Sequence, residues 1–408
     1  MWTSDRHKYG YDVGRDVVKG TVTDSLISQV GKNSLMEQQD QDSACGNASS
    51  EDFYGCDVLG SGPEAEESES NWRECKYHPG HENFIPVSQF GLMNLPEEYR
   101  DQSVVDTVQA VADLTVKLVV RHSAAVKRKE FAVVCYSPRG GENSVHVGSG
   151  WVVDAKEGFG VCSGCAECTS TSFSTSTESP AESKGKWYEV YVATVVHAVY
   201  NEDEAKATEV QLFYGDKDCQ REKSVKSLFG AYIKEHSTSD YSCLFVCKTH
   251  DESLVRELKG RIGRMRGMIV KGGGEEKDVL SWCEPYINTQ NNLCVMVSHP
   301  HGQPKMVTLG KRKHVCDIKP GKRSIERLRL CSMKHPLYYT TDSCPGCSGA
   351  PVFMPTCVET RSIVPGGGNA AFVKAMVVRP HSFGDLYKGI GCGGGMPPLE
   401  VPRLIGLC

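Results

Sequence analysis

The sequence lacks several features that would place it in a membrane or in a secretory pathway. It has no apolar run of the roughly 18 residues that a membrane-spanning helix needs, and the segment from Met1 to His7 has no apolar core of a signal peptide. The net charge of −5 provides no basic excess that would attract nucleic acid. We therefore expect an intracellular protein, in the cytoplasm or nucleus, with no membrane and no nucleic acid as partner.

The 19 cysteines do not form an obvious disulfide framework, because their number is odd and no export signal accompanies them. Mostly free thiols in a reducing compartment are expected. Cys162, Cys165 and Cys168 lie close together, but no second Cys or His pair follows at zinc-finger spacing. Zinc there stays an alternative. Cys75, His78 and His81 flank a Pro-Gly turn and have an ordinary structural explanation. No metal and no cofactor is expected.

The chain divides by composition into four segments. Residues 1–93 lack sustained periodicity and contain an acidic, Ser- and Gly-rich tract, which predicts a largely disordered arm. Residues 94–128 have apolar side chains at spacings of three and four, which predicts an amphipathic helix over about 97–125. Residues 129–395 form a β-rich domain, and residues 396–408 form a tail.

Short β-rich runs separated by turns fill residues 129–395, and no helices alternate with them. A basic helix over Leu254–Met268 divides these runs into two sets of about six, which predicts an all-β fold of two packed six-stranded barrels. The runs are Phe131–Tyr136, Val145–Asp154, Trp187–Val195, Glu209–Tyr214, Val225–Ile233, Tyr241–Cys247, Leu293–His299, Lys305–Leu309, Leu328–Met333, Leu337–Thr341, Ala350–Met354 and Phe372–Val378.

Three residues with complementary chemistry occur in order along the β-rich region. His197 ends an apolar strand, Asp240 precedes another, and Ser348 lies in a Gly-x-Ser-Gly-x-Pro turn that opens into a third. A serine hydroxyl is a poor nucleophile until a neutral imidazole accepts its proton, and a carboxylate orients that imidazole. Each residue alone has a structural explanation. Together they predict a catalytic triad.

These motifs resemble those of the chymotrypsin- and trypsin-like serine peptidases. The matching segments are Gly148–Val153, Ala193–Ala198, Asp240–Leu244 and Gly346–Pro351. The resemblance covers roughly residues 130–390 and implies a double β-barrel with His197 as general base, Asp240 as its orienter and Ser348 as nucleophile. It also implies an oxyanion hole formed by the N–H groups of Gly346 and Ser348, and protein or peptide substrates.

The sequence departs from the secreted members of that family in two places. Cys347 stands where they usually carry an aspartate, and Ala198 stands where they usually carry a disulfide-forming cysteine. No Arg-Ile-Val-Gly-Gly-like activation site appears either, so the chain resembles the intracellular branch of the superfamily. Cys347 is a rival nucleophile, but Ser348 directly precedes the Gly-x-Pro segment and therefore has the expected register.

Substrate preference has two competing indicators. Asp342 lies six residues before Ser348, where the trypsin branch places the acid that binds Lys or Arg side chains. His381 lies where relatives with acidic or Gln specificity place a pocket histidine. We keep both as candidate pocket residues.

Two other functions remain as alternatives to a serine endopeptidase. The first is a catalytically weak or inactive trypsin-like module that binds proteins, which the cysteine at position 347 and the acidic arm suggest. The second is nucleic-acid binding through the basic segments 311–314 and 319–329, which no aromatic stacking pattern supports.

Overall fold

The computed structural model describes residues 53–54, 57–59, 64–122, 145–160, 162, 186–218, 224–238, 241–269, 293–313, 337–360, 371–385 and 390–393. All of them belong to the larger of two compact units, Ser50–Cys408. Among the helices described, none is long and apolar enough to cross a bilayer.

The described residues are mostly β. The strands are β1 Phe53–Tyr54, β2 Asp57–Leu59, β3 Ile85–Pro86, β4 Thr115–Val120, β5 Val145–Glu157, β6 Tyr188–Thr194, β7 Thr208–Leu212, β8 Lys226–Ser237, β9 Ser242–Thr249, β10 Leu293–Ser298, β11 Met306–Lys313, β12 Leu337–Tyr339, β13 Pro351–Thr360, β14 Ala371–Asp385 and β15 Ile390–Gly393. The α-helices are α1 Glu64–Arg73, α2 Gln102–Leu114, α3 Glu202–Lys206 and α4 Glu252–Ile269.

Six antiparallel strands close into a barrel in the order β5-β4-β7-β8-β9-β6, and β6 pairs back to β5. β5 can pair with β4 along one edge and with β6 along the other, and so close the barrel, because it is long and has a bulge between Val152 and Asp154, which bends the strand. Its fully buried Trp151 pairs with Thr115 of β4 on one side and with Ala193 of β6 on the other. The barrel therefore holds the strand that ends before His197 in a fixed register.

A second antiparallel sheet has the order β1-β14-β13-β10-β11-β12-β15, with β3 beside β11 and a further pairing between β14 and β15. β13 follows directly from the turn that contains Ser348. Its partner β10 ends at Ser298, immediately before the segment 299–303 that contacts this turn. The second sheet therefore supports the serine turn in two ways, through β13, which follows the turn, and through the segment that follows β10.

Helix α2 is shorter than the sequence predicts. Of the expected helix over 94–128, the described residues 94–122 form an α-helix only over Gln102–Leu114, and the apolar pattern that follows belongs to β4. All six residues of β4 are buried, so both faces of the strand carry apolar groups. Periodicity cannot separate such a strand from a buried helix. The β-branched residues Thr115, Val116, Val119 and Val120 favour the strand.

The N-terminal segment is also more ordered than expected. Within residues 1–93, which composition assigns to a disordered arm, α1 contacts the barrel, and β3 in the segment that follows pairs with β11 of the second sheet. Glu64 of α1 lies 2.6 Å from the amino group of Lys117, a β4 side chain that is only 2% exposed. Composition missed this docking because α1 attaches largely through polar side chains rather than through an apolar face.

The other predicted strands agree with the structure where residues are described, and of the two predicted barrels one closed six-stranded barrel is present beside a second sheet. The helix expected at 254–268 is α4, which lies between the two sets of strands. The predicted strands Phe131–Tyr136 and Leu328–Met333, and the tail 396–408, lie outside the described residues.

The buried ion pair between Glu64 and Lys117 provides a test of how the N-terminal segment is held. Glu64→Gln leaves the Lys117 charge buried without its carboxylate, so we expect the free energy of unfolding to fall by about 3 kcal/mol in urea titrations. Glu69→Gln on the same helix is the control. Its pair with Lys217 has the same 2.6 Å separation, but the two side chains are 35% and 58% exposed, and we expect a loss below about 1 kcal/mol. Equal losses would contradict the docking described here.

Candidate active site

The segment around Ser348 forms two successive type II turns. In the first, the Cys347 N–H donates to the Cys344 carbonyl at 3.0 Å, Pro345 occupies the second position, and Gly346 has φ +95°. In the second, the Ala350 N–H donates to the Cys347 carbonyl at 2.9 Å, and Gly349 has φ +86°. Ser348 therefore occupies the second position of a tight turn immediately before β13.

Both glycines are required by close backbone approach as well as by positive φ. A Cβ atom at Gly346 would lie 2.7 Å from the His299 carbonyl oxygen and from the His301 nitrogen. A Cβ atom at Gly349 would lie 2.1 Å from the Ser149 carbonyl oxygen. Any larger residue at either position would displace backbone, so the turn is packed tightly on both sides.

Five consecutive carbonyl oxygens, those of residues 344–348, accept hydrogen bonds from the protein. Their donors, in order, are the N–H groups of Cys347 and His301, the Ser149 hydroxyl, and the N–H groups of Ala350 and Ser149. The N–H of a peptide points opposite to its carbonyl. Holding the Pro345 and Cys347 carbonyls therefore fixes the directions of the N–H groups of Gly346 and Ser348.

Ser149 is the central residue of this network and is fully buried. Its N–H donates to the Ser348 carbonyl at 2.8 Å, and its hydroxyl donates to the Gly346 carbonyl at 2.8 Å. The same hydroxyl accepts the His299 N–H at 2.9 Å. One β5 residue of the barrel thus holds both the turn and the segment that follows β10. The sequence indicated the strand around Ser149 but not this role.

His197 and Ser348 are brought together. The His197 Nε2 lies 2.7 Å from the Ser348 hydroxyl oxygen. His197 lies three residues after the end of β6, so the barrel register positions the imidazole, whereas the glycine turn positions the serine. Both side chains are fully buried in this structure. In the tautomer that carries its proton on Nδ1, the imidazole can accept the serine proton at Nε2.

The other ring nitrogen of His197 contacts Tyr241. The distance between His197 Nδ1 and the Tyr241 hydroxyl is 3.1 Å. Tyr241 directly precedes β9 and has φ +57°, a backbone conformation that aromatic residues seldom adopt. Asp240, the predicted orienter, lies outside the described residues. Sequence reasoning missed Tyr241, since an aromatic residue at a strand entrance carries no signal for such a contact.

Cys347 is held away from the histidine by its own contacts. Its sulfur accepts the Cys344 N–H at 3.3 Å and donates to the Ser298 hydroxyl at 3.2 Å. The His197 Nε2 instead contacts the hydroxyl oxygen of Ser348. A buried aspartate here would need a cationic partner, whereas the neutral thiol is accommodated by two hydrogen bonds.

The two candidate pocket residues differ in what the structure describes. The Asp342 carboxylate accepts a hydrogen bond from the Asn83 side chain at 2.7 Å and lies 3.9 Å from His78 Nδ1, and it is 26% exposed. Of His381 only the backbone is described. Strand pairing places Pro380 opposite Pro351, so the backbone of His381 follows where β14 passes the start of β13, next to the serine turn.

Burial shifts several pKa values around the turn. Desolvation and the charge of Lys305 lower the pKa of His299, so that His299 is neutral and its Nδ1–H can donate to the Gln303 carbonyl at 2.8 Å. Burial raises the pKa of the Cys294 thiol to about 12. The hydrogen bond with Cys344 lowers the pKa of the Cys75 thiol against the opposing effect of burial.

Comparisons with known proteins do not identify a family. No protein-family model matches the sequence, and no curated protein matches it. Among the solved structures that match is the HtrA-type protease AlgW with a tripeptide, which is 10% identical, with a TM-score of 0.32. The match covers 71% of this chain and 59% of the AlgW chain, so this chain spans less than two thirds of that structure. A likeness this weak carries no argument about activity or substrate.

The role of Ser149 can be measured by deleting its hydroxyl. Ser149→Ala leaves the buried Gly346 carbonyl and the His299 N–H without their partner, so we expect the free energy of unfolding to fall by about 2 kcal/mol. Ser227→Ala is the control, because the Ser227 hydroxyl donates to Glu209 on an exposed part of β8. A loss of stability no larger than that of the control would show that the turn does not depend on Ser149.

Proposed function

We propose that this chain is a serine endopeptidase that hydrolyses peptide bonds through an acyl-enzyme on Ser348. The observation that carries the proposal is the 2.7 Å contact between His197 Nε2 and the Ser348 hydroxyl. That distance lies within the range in which an imidazole removes a proton from a hydroxyl. The glycine turn supplies fixed N–H groups, and acyl transfer needs such donors to stabilise the oxyanion that forms.

In this mechanism the Ser348 oxygen attacks the peptide carbonyl while its proton moves to His197 Nε2. The N–H groups of Gly346 and Ser348 stabilise the oxyanion, a contribution worth about 10²- to 10³-fold in rate per donor. The imidazolium then protonates the leaving amine, and water attacks the acyl-enzyme with His197 as general base. Serine is regenerated at the end.

Two groups act on the far side of His197 in this proposal. The Tyr241 hydroxyl oxygen accepts a hydrogen bond from the Nδ1–H group of His197. This favours the tautomer in which Nε2 is unprotonated and can act as a base. Asp240, the residue next to it in sequence, supplies the carboxylate that stabilises the imidazolium. A phenol alone does not balance the positive charge, so the aspartate remains part of the proposed triad.

The fold supports assignment to the trypsin-like peptidases as part of the same proposal. One closed six-stranded barrel carries His197, and a second sheet carries Ser348. In that second sheet β14 pairs with both β13 and β15. The successive pairings β13-β10-β11-β12-β15 lead from one of these two partners of β14 to the other. This pattern of pairings is the basis for proposing a second barrel, with the site between the two.

Complete burial of His197 and Ser348 favours one alternative function. A peptide must reach the serine for catalysis, and neither side chain is exposed in this structure. A trypsin-like module that is inactive, or active only after an opening movement, fits this burial. Such a module would act by binding proteins through its surface.

A fluorophosphonate probe separates the two functions. We expect the full chain to be labelled on Ser348, Ser348→Ala to show no labelling, and His197→Ala to be labelled at least about a thousandfold more slowly. Asp240→Asn is expected to be similarly slow, because it favours the wrong tautomer. Thermal unfolding of each variant checks that it is folded. Absence of labelling in a folded wild-type preparation would contradict the enzyme and favour the interaction module.

The rival nucleophile is tested by the same probe. Cys347→Ala is expected to remain labelled, with the modified peptide containing Ser348. If labelling instead disappears in folded Cys347→Ala and persists in Ser348→Ala, the assignment of the nucleophile is wrong.

Specificity is tested by comparing peptides that differ only in the residue before the cleaved bond. The partners of Asp342 are a neutral amide and a histidine, so its negative charge stays available to a cationic side chain. We expect Lys and Arg to be preferred and Asp342→Ser to lower kcat/KM for them by about a hundredfold or more. His381→Ala is the matched variant for acidic or Gln substrates. Unchanged cleavage after Lys and Arg in Asp342→Ser would exclude the basic pocket.

A further inference from the structure

Four metal-binding side chains from three separate parts of the chain meet beside the serine turn. They are Cys75, His81, His301 and Cys344, and their sulfur and ring nitrogen atoms all lie within 4.8 Å of one another. All four residues are buried, with exposures between 0% and 7%. Their composition, two thiols and two imidazoles, is that of a four-coordinate zinc site.

The distances within the cluster match a tetrahedron around zinc. Zn–S bonds of about 2.3 Å and Zn–N bonds of about 2.0 Å at tetrahedral angles place two sulfurs about 3.8 Å apart, and a sulfur and a nitrogen about 3.5 Å apart. The structure has 3.7 Å between the sulfurs of Cys75 and Cys344 and 3.5 Å between Cys344 Sγ and His81 Nε2. Both separations therefore agree with ligands of one ion.

A disulfide does not account for the two cysteines. Bonded sulfurs lie about 2.05 Å apart, whereas the sulfurs of Cys75 and Cys344 are 3.7 Å apart and both residues are free thiols. A disulfide would also leave two buried imidazoles beside it unexplained.

The backbone is arranged to aim both imidazoles inward. His81 has φ +49° and His301 has φ +51°, and they are two of only four non-glycine residues with positive φ in the described part of the chain. Such conformations cost free energy and concentrate at functional sites. The Trp72 ring stacks on His81 with centroids 3.5 Å apart, and it lies nearly perpendicular to the His301 ring at a centroid distance of 6.3 Å. The tryptophan thereby shields the cluster and fixes the orientation of the His81 ring.

We propose that Cys75, His81, His301 and Cys344 bind a structural zinc ion that ties the N-terminal segment to the serine turn. Four protein ligands leave no open position, so the ion has no direct part in chemistry. Cys344 is the first residue of the first turn, and the His301 N–H holds the Pro345 carbonyl at 2.6 Å. The ion thus fixes two groups that determine the direction of the Gly346 N–H. The site does not depend on the proposed peptidase activity.

Zinc content of the purified full chain, measured by mass spectrometry of the metal, tests the site. We expect Cys75→Ser and His301→Ala to contain about one zinc equivalent less than the wild type after gel filtration. The wild-type total is not the criterion, because Cys162, Cys165 and Cys168 could contribute. Cys294→Ser is the matched control, since Cys294 is buried in the same core cluster but is not one of the four ligands. It should retain the full amount.

Cobalt substitution identifies the ligands even if a variant is unstable. The wild type loaded with Co²⁺ should show the intense visible bands of a tetrahedral site and thiolate charge-transfer absorption. His81→Cys exchanges one zinc ligand for another, so it should keep the metal with stronger thiolate absorption, whereas His81→Ala should lose it. Ser348→Ala should keep the metal whether or not the chain is a peptidase, so failure of one proposal is distinguishable from failure of the other.

Two results would overturn the zinc site. One is an unchanged metal content in folded Cys75→Ser and His301→Ala. The other is a Cys75–Cys344 disulfide in the native protein, detected by peptide mass spectrometry without reduction.

Discussion

The site depends on the hydrogen bonds that hold five successive carbonyl oxygens of the serine turn. Ser149 supplies two of these bonds from the first barrel, and His301 supplies another from the segment after β10. Because each carbonyl is fixed, the fold itself also fixes the N–H groups on the opposite side of each peptide unit. Preorganised donors of this kind cost no reorganisation during a reaction. Gly346 and Gly349 are obligatory because neighbouring groups approach too closely for a Cβ atom, the His299 carbonyl oxygen and the His301 nitrogen at Gly346 and the Ser149 carbonyl oxygen at Gly349.

The cysteine at position 347 changes how such a turn is stabilised. A buried aspartate would hold the turn through a salt bridge, and that requires a cation inside the protein. Here a neutral thiol bonded to Cys344 and Ser298 replaces the charge. Orientation then comes from the neutral contacts on both sides of the turn, Ser149 on one and the segment 299–301 on the other.

The sequence indicated those parts of the site whose signal is local. The Gly-x-Ser-Gly-x-Pro pattern indicated the turn, and the apolar strand before His197 indicated that this histidine lies at a strand end. Contacts between distant segments were not predictable. Tyr241 reaches His197 through an unusual backbone conformation, and Cys75 meets Cys344 across more than 260 positions. The apolar run at β4 predicts a helix because a strand buried on both faces lacks the period-two pattern that would distinguish it.

The N-terminal segment is therefore part of the site rather than a spacer before it. Its Glu64 pairs with Lys117 of the barrel, and its Asn83 donates a hydrogen bond to the carboxylate of Asp342. It also places Cys75 and His81 against the residue that begins the serine turn. These contacts join the segment to β4 of the barrel, to Asp342 just before the serine turn and to Cys344 at the start of that turn. The acidic composition that suggests disorder when taken alone supplies the carboxylate that a buried lysine of the barrel requires.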